Sequence, residues 1–191
     1  MNTKVIAIIP AKGISTRLAG KNMRYLLGKT LLEHAIDYIK ESTRITRFYV
    51  STDDEIIAET GRSLKAEIIM RPTRLTGDTP LVEVYRHALA GLDIDQIEVM
   101  AGVQVDHPDR NISLDEALER FESEQADRLY SIDAQGKKNG AHLIMKVAAV
   151  QRNKFEKEKS IIDEFYRALL FFSNVFDPAT FCKTNTRIQF L

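Results

Sequence analysis

Segments typical of buried strands alternate four times with segments typical of amphipathic helices, and this alternation limits the fold more than any other feature of the sequence. The first predicted strand, KVIAII at 4–9, is continuously apolar after its lysine and rich in β-branched residues, as in strands buried on both faces. Three more predicted strands follow at 47–52, 66–70 and 97–103. The short connections between these elements predict an α/β fold with a mostly parallel sheet covered on both faces.

Residue pairs with capping-box spacing mark the starts of three helices. The pairs are Thr30 with Glu33, Thr52 with Glu55, and Ser113 with Glu116. Thr79 followed by Pro80 is typical of an N-cap and a first helical residue, and it predicts a fourth helix start. The later segments 127–133 and 141–150 are predicted strands, although the second is also open to interpretation as a helix.

The chain changes character after Gln151, where a highly charged stretch precedes the apolar segment IIDEFYRALLFF at 161–172. We expect a helix there, so that 151–191 forms a helical C-terminal extension of a single domain spanning 1–191. The large apolar side chains of this helix need a partner surface. A second subunit, which would make the protein a homodimer, and the chain's own sheet are both open as that surface.

Charge and cysteine content exclude several function classes. Lys and Arg total 27 and Asp and Glu total 27, so the zero net charge gives the whole molecule no attraction to nucleic acid or to an anionic membrane. The single cysteine, Cys182, excludes an internal disulfide and suits a reducing compartment. No apolar run has the length of a signal peptide core or of a membrane span. We therefore expect a cytoplasmic protein that binds neither nucleic acid nor membrane.

The loop that leaves the first predicted strand, IIPAKGISTRLAGKN at 8–22, concentrates positive charge at Lys12, Arg17 and Lys21. Ligands of parallel α/β proteins bind at the carboxyl ends of strands, and clustered cations suit a polyanion such as a nucleoside triphosphate. A solvated basic surface loop is the open alternative. Neither common phosphate motif is present, because a P-loop ending in GKT would need glycine where Met23 stands and no G-x-G-x-x-G follows the strand.

In this loop and in later segments the chain resembles the sugar-acid cytidylyltransferases, the acylneuraminate and KDO activating enzymes. The loop is similar to the family's IPARGGSKRLPGKN signature. LLEHAIDYIKES resembles the family's first helix, FYVSTDDEIIAE its second strand and turn, AEIIMRPTRLTGDTP its RP-x-x-L-x-x-D-T segment, and NGAHLIM its NGAIYI strand. The segments occur in the family's order and cover 4–146, which makes the resemblance more specific than any single motif.

The resemblance implies a Rossmann-like three-layer α/β/α fold of the nucleotide-diphospho-sugar transferase type. It also implies a reaction in which a sugar-acid hydroxyl attacks the α-phosphate of CTP and pyrophosphate leaves. Lys12, Arg17 and Lys21 match the family's catalytic cations, and Lys21 is expected at the α-phosphate. The residues that match nucleotide-binding positions are Ala11, Gly13, Ser15, Asn22, Arg71, Asp78, Thr79 and Gln104. A plain helix cap is the open alternative for Asp78 and Thr79.

The segment VQVDHPDR after the fourth predicted strand contains a carboxylate, Asp106. KDO-type enzymes carry VQGDEP here, and the resemblance implies that Asp106 binds Mg²⁺. This ion prefers one or two carboxylates together with phosphate oxygens and water. A turn without metal is the open alternative for Asp106. His107 beside it is open as a substrate contact or as a turn residue.

The chain departs from the family in two later places. Only AQGKK, at 134–138, precedes NGAHLIM, where the family has a long segment that makes dimer and sugar-acid contacts. The family's late IDID-like acidic motif, the source of a second metal carboxylate, has no clear counterpart, and Asp163 and Asp177 are the candidates to replace it. A nucleotidyltransferase that uses another nucleotide or acceptor, and a non-catalytic nucleotide-binding protein, therefore stay open beside a cytidylyltransferase.

Overall fold

The computed structural model describes residues 4–15, 18–76, 79–94 and 96–163. The strands are Val5–Pro10 (β1), Tyr25–Leu26 (β2), Lys29–Thr30 (β3), Ile45–Thr52 (β4), Glu67–Met70 (β5), Val99–Gly102 (β6), Arg128–Ile132 (β7), Lys138–Lys146 (β8) and Glu158–Ile162 (β9). The α-helices are Leu31–Lys40 (α1), Glu55–Ser63 (α2), Leu81–Ala90 (α3), Leu114–Ser123 (α4) and Val147–Arg152 (α5). Short 3₁₀ turns lie at Lys21–Met23 and Thr73–Leu75.

A seven-stranded sheet forms the centre of the described chain, in the order β5-β4-β1-β6-β8-β7-β9. β1 pairs in parallel with β4 and β6, β4 pairs in parallel with β5, and β7 pairs in parallel with β9. β8 runs antiparallel between β6 and β7. The carboxyl ends of β1, β4, β5 and β6 therefore meet at one edge, where their loops can share a ligand.

Helices cover both faces of this sheet. Side chains alternate along a strand, so that Val5, Ala7 and Ile9 of β1 pack with α1, α2 and α4, whereas Ile6 and Ile8 pack with α3 and α5. All five side chains are almost completely buried, which explains the continuous apolar run at the start of the sequence. The predicted three-layer α/β/α architecture with a mostly parallel sheet is confirmed.

The predicted helix starts at Thr30 and Ser113 are confirmed. Each hydroxyl accepts a hydrogen bond from the backbone N–H three residues later, and the glutamate at that position accepts from the N–H of the capping residue. Both capping boxes satisfy backbone N–H groups that have no partner inside the helix. The apolar face that follows each cap is buried, from Leu31 to Ile39 in α1 and from Leu114 to Phe121 in α4.

The predicted N-caps at Thr52 and Thr79 are wrong. β4 continues through Thr52, so the chain must turn before α2, and Asp54 caps that helix by accepting from a backbone N–H in its first turn. The Thr52 hydroxyl instead accepts from the N–H of Asp54. Helix α3 begins at Leu81 with Pro80 as N-cap. The Thr79 hydroxyl donates at 2.9 Å to a backbone carbonyl in the loop before it.

Strand β8 contains a bulge opposite β7. Two neighbouring pairs of the β7–β8 ladder enclose one residue of β7, Ser131, but four residues of β8, 139–142. Bulges of this kind break the alternation of side chains and redirect them, often beside functional sites. The segment 141–150, open between strand and helix in the sequence, contains both, since β8 ends at Lys146 and α5 begins at Val147.

The helix predicted over 161–172 is wrong at its described start. Residues 158–162 form β9, an edge strand parallel to β7, so that Ile161 and Ile162 belong to a strand. β-Branched residues favour a pleated, half-buried surface, and Ile161 packs against the core on the α4 side. The remainder of the predicted helix, together with Asp177, lies outside the described residues. Within the described residues, no helix has the length and apolar character needed to cross a membrane.

Candidate active site

A cleft of about 290 Å³ lies at the sheet edge where β1, β5 and β6 end. Seven of the residues predicted for the site line it: Lys12, Lys21, Asn22, Arg71, Thr79, Gln104 and Asp106. Ala11, Gly13 and Ser15 belong to the same loop as Lys12 but are not among the described residues that line the cleft. Arg17 and Asp78 lie outside the described residues. The cleft thus combines cationic side chains with one carboxylate.

The loop after β1 is fixed by its neighbours. The buried Ala11 donates from its N–H to a carbonyl of β4 at 2.9 Å, and the N–H of Gly13 donates to Oδ1 of Asp53 at 2.9 Å. A Cβ atom at Gly13 would lie 2.7 Å from the Cβ of the α2 N-cap, so that only glycine fits there. Nδ2 of the buried Asn22 donates to the carbonyl of Lys12 at 2.7 Å. These bonds hold the backbone that carries Lys12 in place.

Asp53, which was not predicted from the sequence, links the loops after β1, β4 and β5. The oxygen that accepts from Gly13 also lies 3.3 Å from Nη2 of Arg71. The Arg71 side chain is 4% exposed, and its Nη1 donates to the carbonyl of Leu75 at 3.4 Å. Burial lowers the pKa of Arg71, and the charge of Asp53 opposes that shift. The position of Asp53 directly after β4 is the sequence signal that could have identified it.

Lys21 and Asp106 form an ion pair inside the cleft. Nζ of Lys21 lies 2.8 Å from Oδ2 of Asp106, and the two side chains are 22% and 27% exposed. The buried His107 places Nε2 3.6 Å from the other carboxylate oxygen. Burial raises the pKa of Asp106, but the charges of His107 and Lys21 outweigh burial and hold that pKa below its usual value. Asp106 is therefore a carboxylate that solvent and ligands can reach.

The loop after β6 lies directly against the bulge of β8. Nε2 of Gln104 donates to the carbonyl of Gly140 at 3.1 Å. Gly140 has a φ of +87°, and a Cβ there would lie 2.6 Å from Nε2 of Gln104 and 3.2 Å from Nε2 of His107. Glycine is required because of both its backbone conformation and this close approach.

A family model described as cytidylyltransferase matches residues 6–164. The chain belongs to the cytidylyltransferase family. A 3-deoxy-manno-octulosonate cytidylyltransferase of Trichlorobacter lovleyi is 37% identical over 106 residues, which cover 55% of this chain and 39% of the relative. An N-acylneuraminate cytidylyltransferase of Escherichia coli O18:K1:H7 is 36% identical over 91 residues, which cover 47% of this chain and 22% of the relative. The resemblance found in the sequence motifs is confirmed, and the chain spans less than half the length of these curated relatives.

Solved structures show the same fold. CMP:2-keto-3-deoxy-manno-octonic acid synthetase, determined with CTP, superposes with a TM-score of 0.68 at 13% identity and covers 95% of this chain and 97% of its own. A protein of Mycobacterium tuberculosis H37Rv, determined in complex with manganese, superposes with a TM-score of 0.61 at 12% identity over 86% of this chain and 90% of its own. At these identities the superpositions show a shared fold and nothing more.

Asp163, a candidate for the family's second metal carboxylate, is turned into the protein. Its side chain is fully buried, with Oδ2 3.1 Å from Nδ1 of His142 and Oδ1 accepting from the N–H of Asn111 at 3.1 Å. Among the described residues no cluster of three or more His, Cys, Asp or Glu side chains could hold a metal. A cation in the cleft would have Asp106 as its protein ligand and would otherwise take phosphate oxygens and water, a donor set that suits Mg²⁺.

Proposed function

We propose that this family member transfers CMP from CTP to a sugar acid of the KDO or sialic acid type, with Mg²⁺ as its cofactor, and releases pyrophosphate. The observation that carries the proposal is the convergence of Lys12, Lys21 and Arg71 with Asp106 in one cleft at the carboxyl edge of the sheet. The names of the relatives, which cover these two classes of sugar acid, support the acceptor class. The similar structure determined with CTP supports the nucleotide.

The proposed step is a displacement at the innermost phosphorus of CTP. An acceptor hydroxyl oxygen forms a bond to the α-phosphorus and loses its proton to water, and the bond from that phosphorus to the oxygen bridging the β-phosphate breaks, so that pyrophosphate leaves. Charge spreads over the phosphoryl oxygens, and fixed cations stabilise it. We assign Lys21 to the α-phosphate and the leaving group, and Lys12 and Arg17 to the outer phosphates. The bonds from the Gly13 N–H to Asp53 and from the Asn22 side chain to the Lys12 carbonyl hold the backbone that carries Lys12 before substrate arrives.

We expect triphosphate binding to change the partner of Lys21. Its ammonium is bonded to Asp106 in the structure, and a phosphate oxygen competes for its donors. When Lys21 turns to phosphate, Asp106 is left as an anion beside the anionic triphosphate and needs a counter-ion. Mg²⁺, when bound, would supply that charge and polarise the phosphoryl oxygens. The manganese in a similar structure supports the use of a divalent cation.

Other residues that line the cleft suit the nucleoside. Leu81 and Val84 give it an apolar wall, and Arg71, Thr79 and Gln104 give it hydrogen-bonding groups. Apolar walls with a few placed polar groups are typical of small-molecule sites. We therefore assign the nucleoside to these residues, and the family resemblance adds Ala11, Ser15 and Asp78 as further contacts.

Pyrophosphate release tests the proposal. The full chain with CTP, Mg²⁺ and either KDO or N-acetylneuraminate should release pyrophosphate, and omission of the acceptor or of Mg²⁺ should stop the release. Lys21→Met keeps the side-chain stem and removes the charge, so turnover should fall by about 10² to 10³-fold. Lys154→Met, which removes an exposed lysine in the loop after α5, should leave turnover unchanged. Absence of release with every sugar acid offered would contradict the proposal.

A non-catalytic nucleotide-binding protein is the second candidate. The burial of Asp163 and the limited coverage of the curated relatives favour it. Thermal unfolding with CTP, UTP, ATP or GTP separates the candidates, because a ligand of the folded state raises the Tm. Stabilisation by CTP without turnover would favour the binding protein, and stabilisation by another nucleotide would favour a different nucleotidyltransferase. We retain a homodimer and a cytoplasmic location as predictions, which sedimentation and fractionation can test.

A further inference from the structure

Arg110 binds three backbone carbonyls from two separate parts of the fold. Its Nε donates to the carbonyl of Ala141 in β8 at 2.8 Å, its Nη1 to the carbonyl of His107 at 2.6 Å, and its Nη2 to the carbonyl of Gln104 at 2.5 Å. His107 and Gln104 flank Asp106 in the sequence. One guanidinium thus ties both sides of the loop that carries Asp106 to the strand beside it.

The ring of Tyr38, in α1, packs against the flat face of this guanidinium. The Cζ atom of Arg110 lies 4.7 Å from the centre of the Tyr38 ring, within the range of a cation–π contact. The Tyr38 hydroxyl donates to the carbonyl of Ile112 at 3.0 Å and lies 2.7 Å from Nε2 of His142. Burial raises the pKa of Tyr38 above its usual value, so that the hydroxyl keeps its proton. The ring therefore has a fixed position under Arg110.

Open space borders the loop that carries Asp106 in two places. The cleft borders Gln104, Val105 and Asp106, and a groove of about 520 Å³ borders His107 and Arg110. Val105 is 3% exposed and packs in the core, and the hydrogen bonds of Arg110 fix the carbonyls of Gln104 and His107 on either side of it. Bonds from a charged donor to carbonyls are stronger than those between neutral groups, and the planar fork of arginine can serve several acceptors in one plane.

We propose that Arg110 is a positioning residue, which sets the Asp106 carboxylate where a divalent cation shared with the triphosphate needs it, and that the Tyr38 ring holds Arg110 in place. This inference rests on the proposed function. It predicts that Arg110 acts on the coupling between metal and nucleotide. It does not predict a contribution to nucleotide binding in the absence of metal.

The coupling can be measured as the ratio of CTP affinities with and without saturating Mn²⁺, determined by calorimetry on the full chain. Arg110→Lys keeps the charge and loses the fork, and we expect the ratio to fall by about 10 to 100-fold, as is usual when a partner of a metal ligand is removed. The affinity for CTP without metal should change by less than about threefold. Tyr38→Leu should lower the ratio in the same direction, and Tyr38→Phe, which keeps the ring, should lower it less.

Phe155→Leu is the matched control. The Cζ atom of Arg128 lies 4.3 Å from the centre of the Phe155 ring, in a similar cation–π contact away from the cleft. This variant should leave the ratio unchanged while lowering the Tm as Tyr38→Leu does. An Arg110→Lys protein that melts like the wild type with an unchanged ratio would overturn the inference. Should Arg110→Lys fail to fold, an equal ratio in Tyr38→Leu and Phe155→Leu would overturn it. A wild-type chain that does not bind CTP would instead overturn the proposed function, and the inference with it.

Discussion

Two aspartates follow parallel strands at the same edge of the sheet, in opposite surroundings. Asp106, in the loop after β6, is 27% exposed and pairs with the ammonium of Lys21. Asp163, directly after β9, is fully buried and pairs with the imidazole of His142. A partly exposed ammonium on a flexible stem can change partners readily, whereas separating a buried pair leaves a polar group unsatisfied. The pairing partner, rather than the strand end, decides which aspartate can meet a ligand.

The largest effect is expected from Asp106→Asn, which keeps the shape of the side chain and removes its charge. If Asp106 holds the divalent cation, pyrophosphate release should fall by about 10² to 10³-fold, because metal stabilisation of the transition state amounts to several kcal/mol. The coupling between Mn²⁺ and CTP should disappear in the same protein. Substantial turnover in Asp106→Asn would show that Asp106 is not needed to hold the cation, and the contrast with Asp163 would then fail.

Asp163→Asn should act on stability and leave the coupling of metal and nucleotide nearly unchanged. The amide places a donor against Nδ1 of His142 and weakens the bond from the N–H of Asn111, and an unsatisfied buried group costs about 1–3 kcal/mol. Urea denaturation should show this loss in the free energy of unfolding. If Asp163→Asn instead abolished the coupling at unchanged stability, Asp163 would be a metal ligand and the contrast with Asp106 would be wrong.

Gly140→Ala tests whether the bulge of β8 serves the loop of Asp106. Gly136 provides a matched control, since both glycines have positive φ, of +87° and +78°, but a Cβ at Gly136 would meet nothing within 4 Å. Both alanine variants should lose about 1–2 kcal/mol of stability to backbone strain. Gly140→Ala alone should also lower turnover, by roughly tenfold, because the new Cβ displaces Gln104. Equal turnover in the two variants would contradict this role.

The smallest effect is a pH dependence of stability in the ligand-free protein. The pKa of Asp106 is lower in the folded chain than its unfolded value of 3.8, so that its carboxylate stabilises the fold above that value and the stabilisation is lost as pH falls through the folded pKa. The free energies of unfolding of wild type and Asp106→Asn should therefore differ by about 1 kcal/mol or less at neutral pH. That difference should shrink below about pH 4. If the difference in the free energy of unfolding instead grew as the pH fell, the prediction would be contradicted.

The sequence predicts those features that depend on neighbouring residues. The caps at Thr30 and Ser113 involve partners three residues away, and the strand ends that form the cleft follow from apolar patterning. Thr52 shows the limit of such signals, because the strand runs on through it and Asp54 takes the cap. The bond of Arg110 to β8 joins residues 31 positions apart, and no local pattern encodes it. It depends on how the antiparallel strand is inserted into the sheet.

The four bulge residues of β8 connect both aspartates to one strand. Asn139 donates to the carbonyl of Asp163, and the carbonyls of Gly140 and Ala141 accept from the loop that carries Asp106. A chain that straightened β8 by deleting the surplus residues would gain a regular ladder and lose the anchors of both loops together. We therefore expect the exposed turn before β8 to tolerate insertions and deletions during evolution, and the length of the segment 139–142 to stay constant.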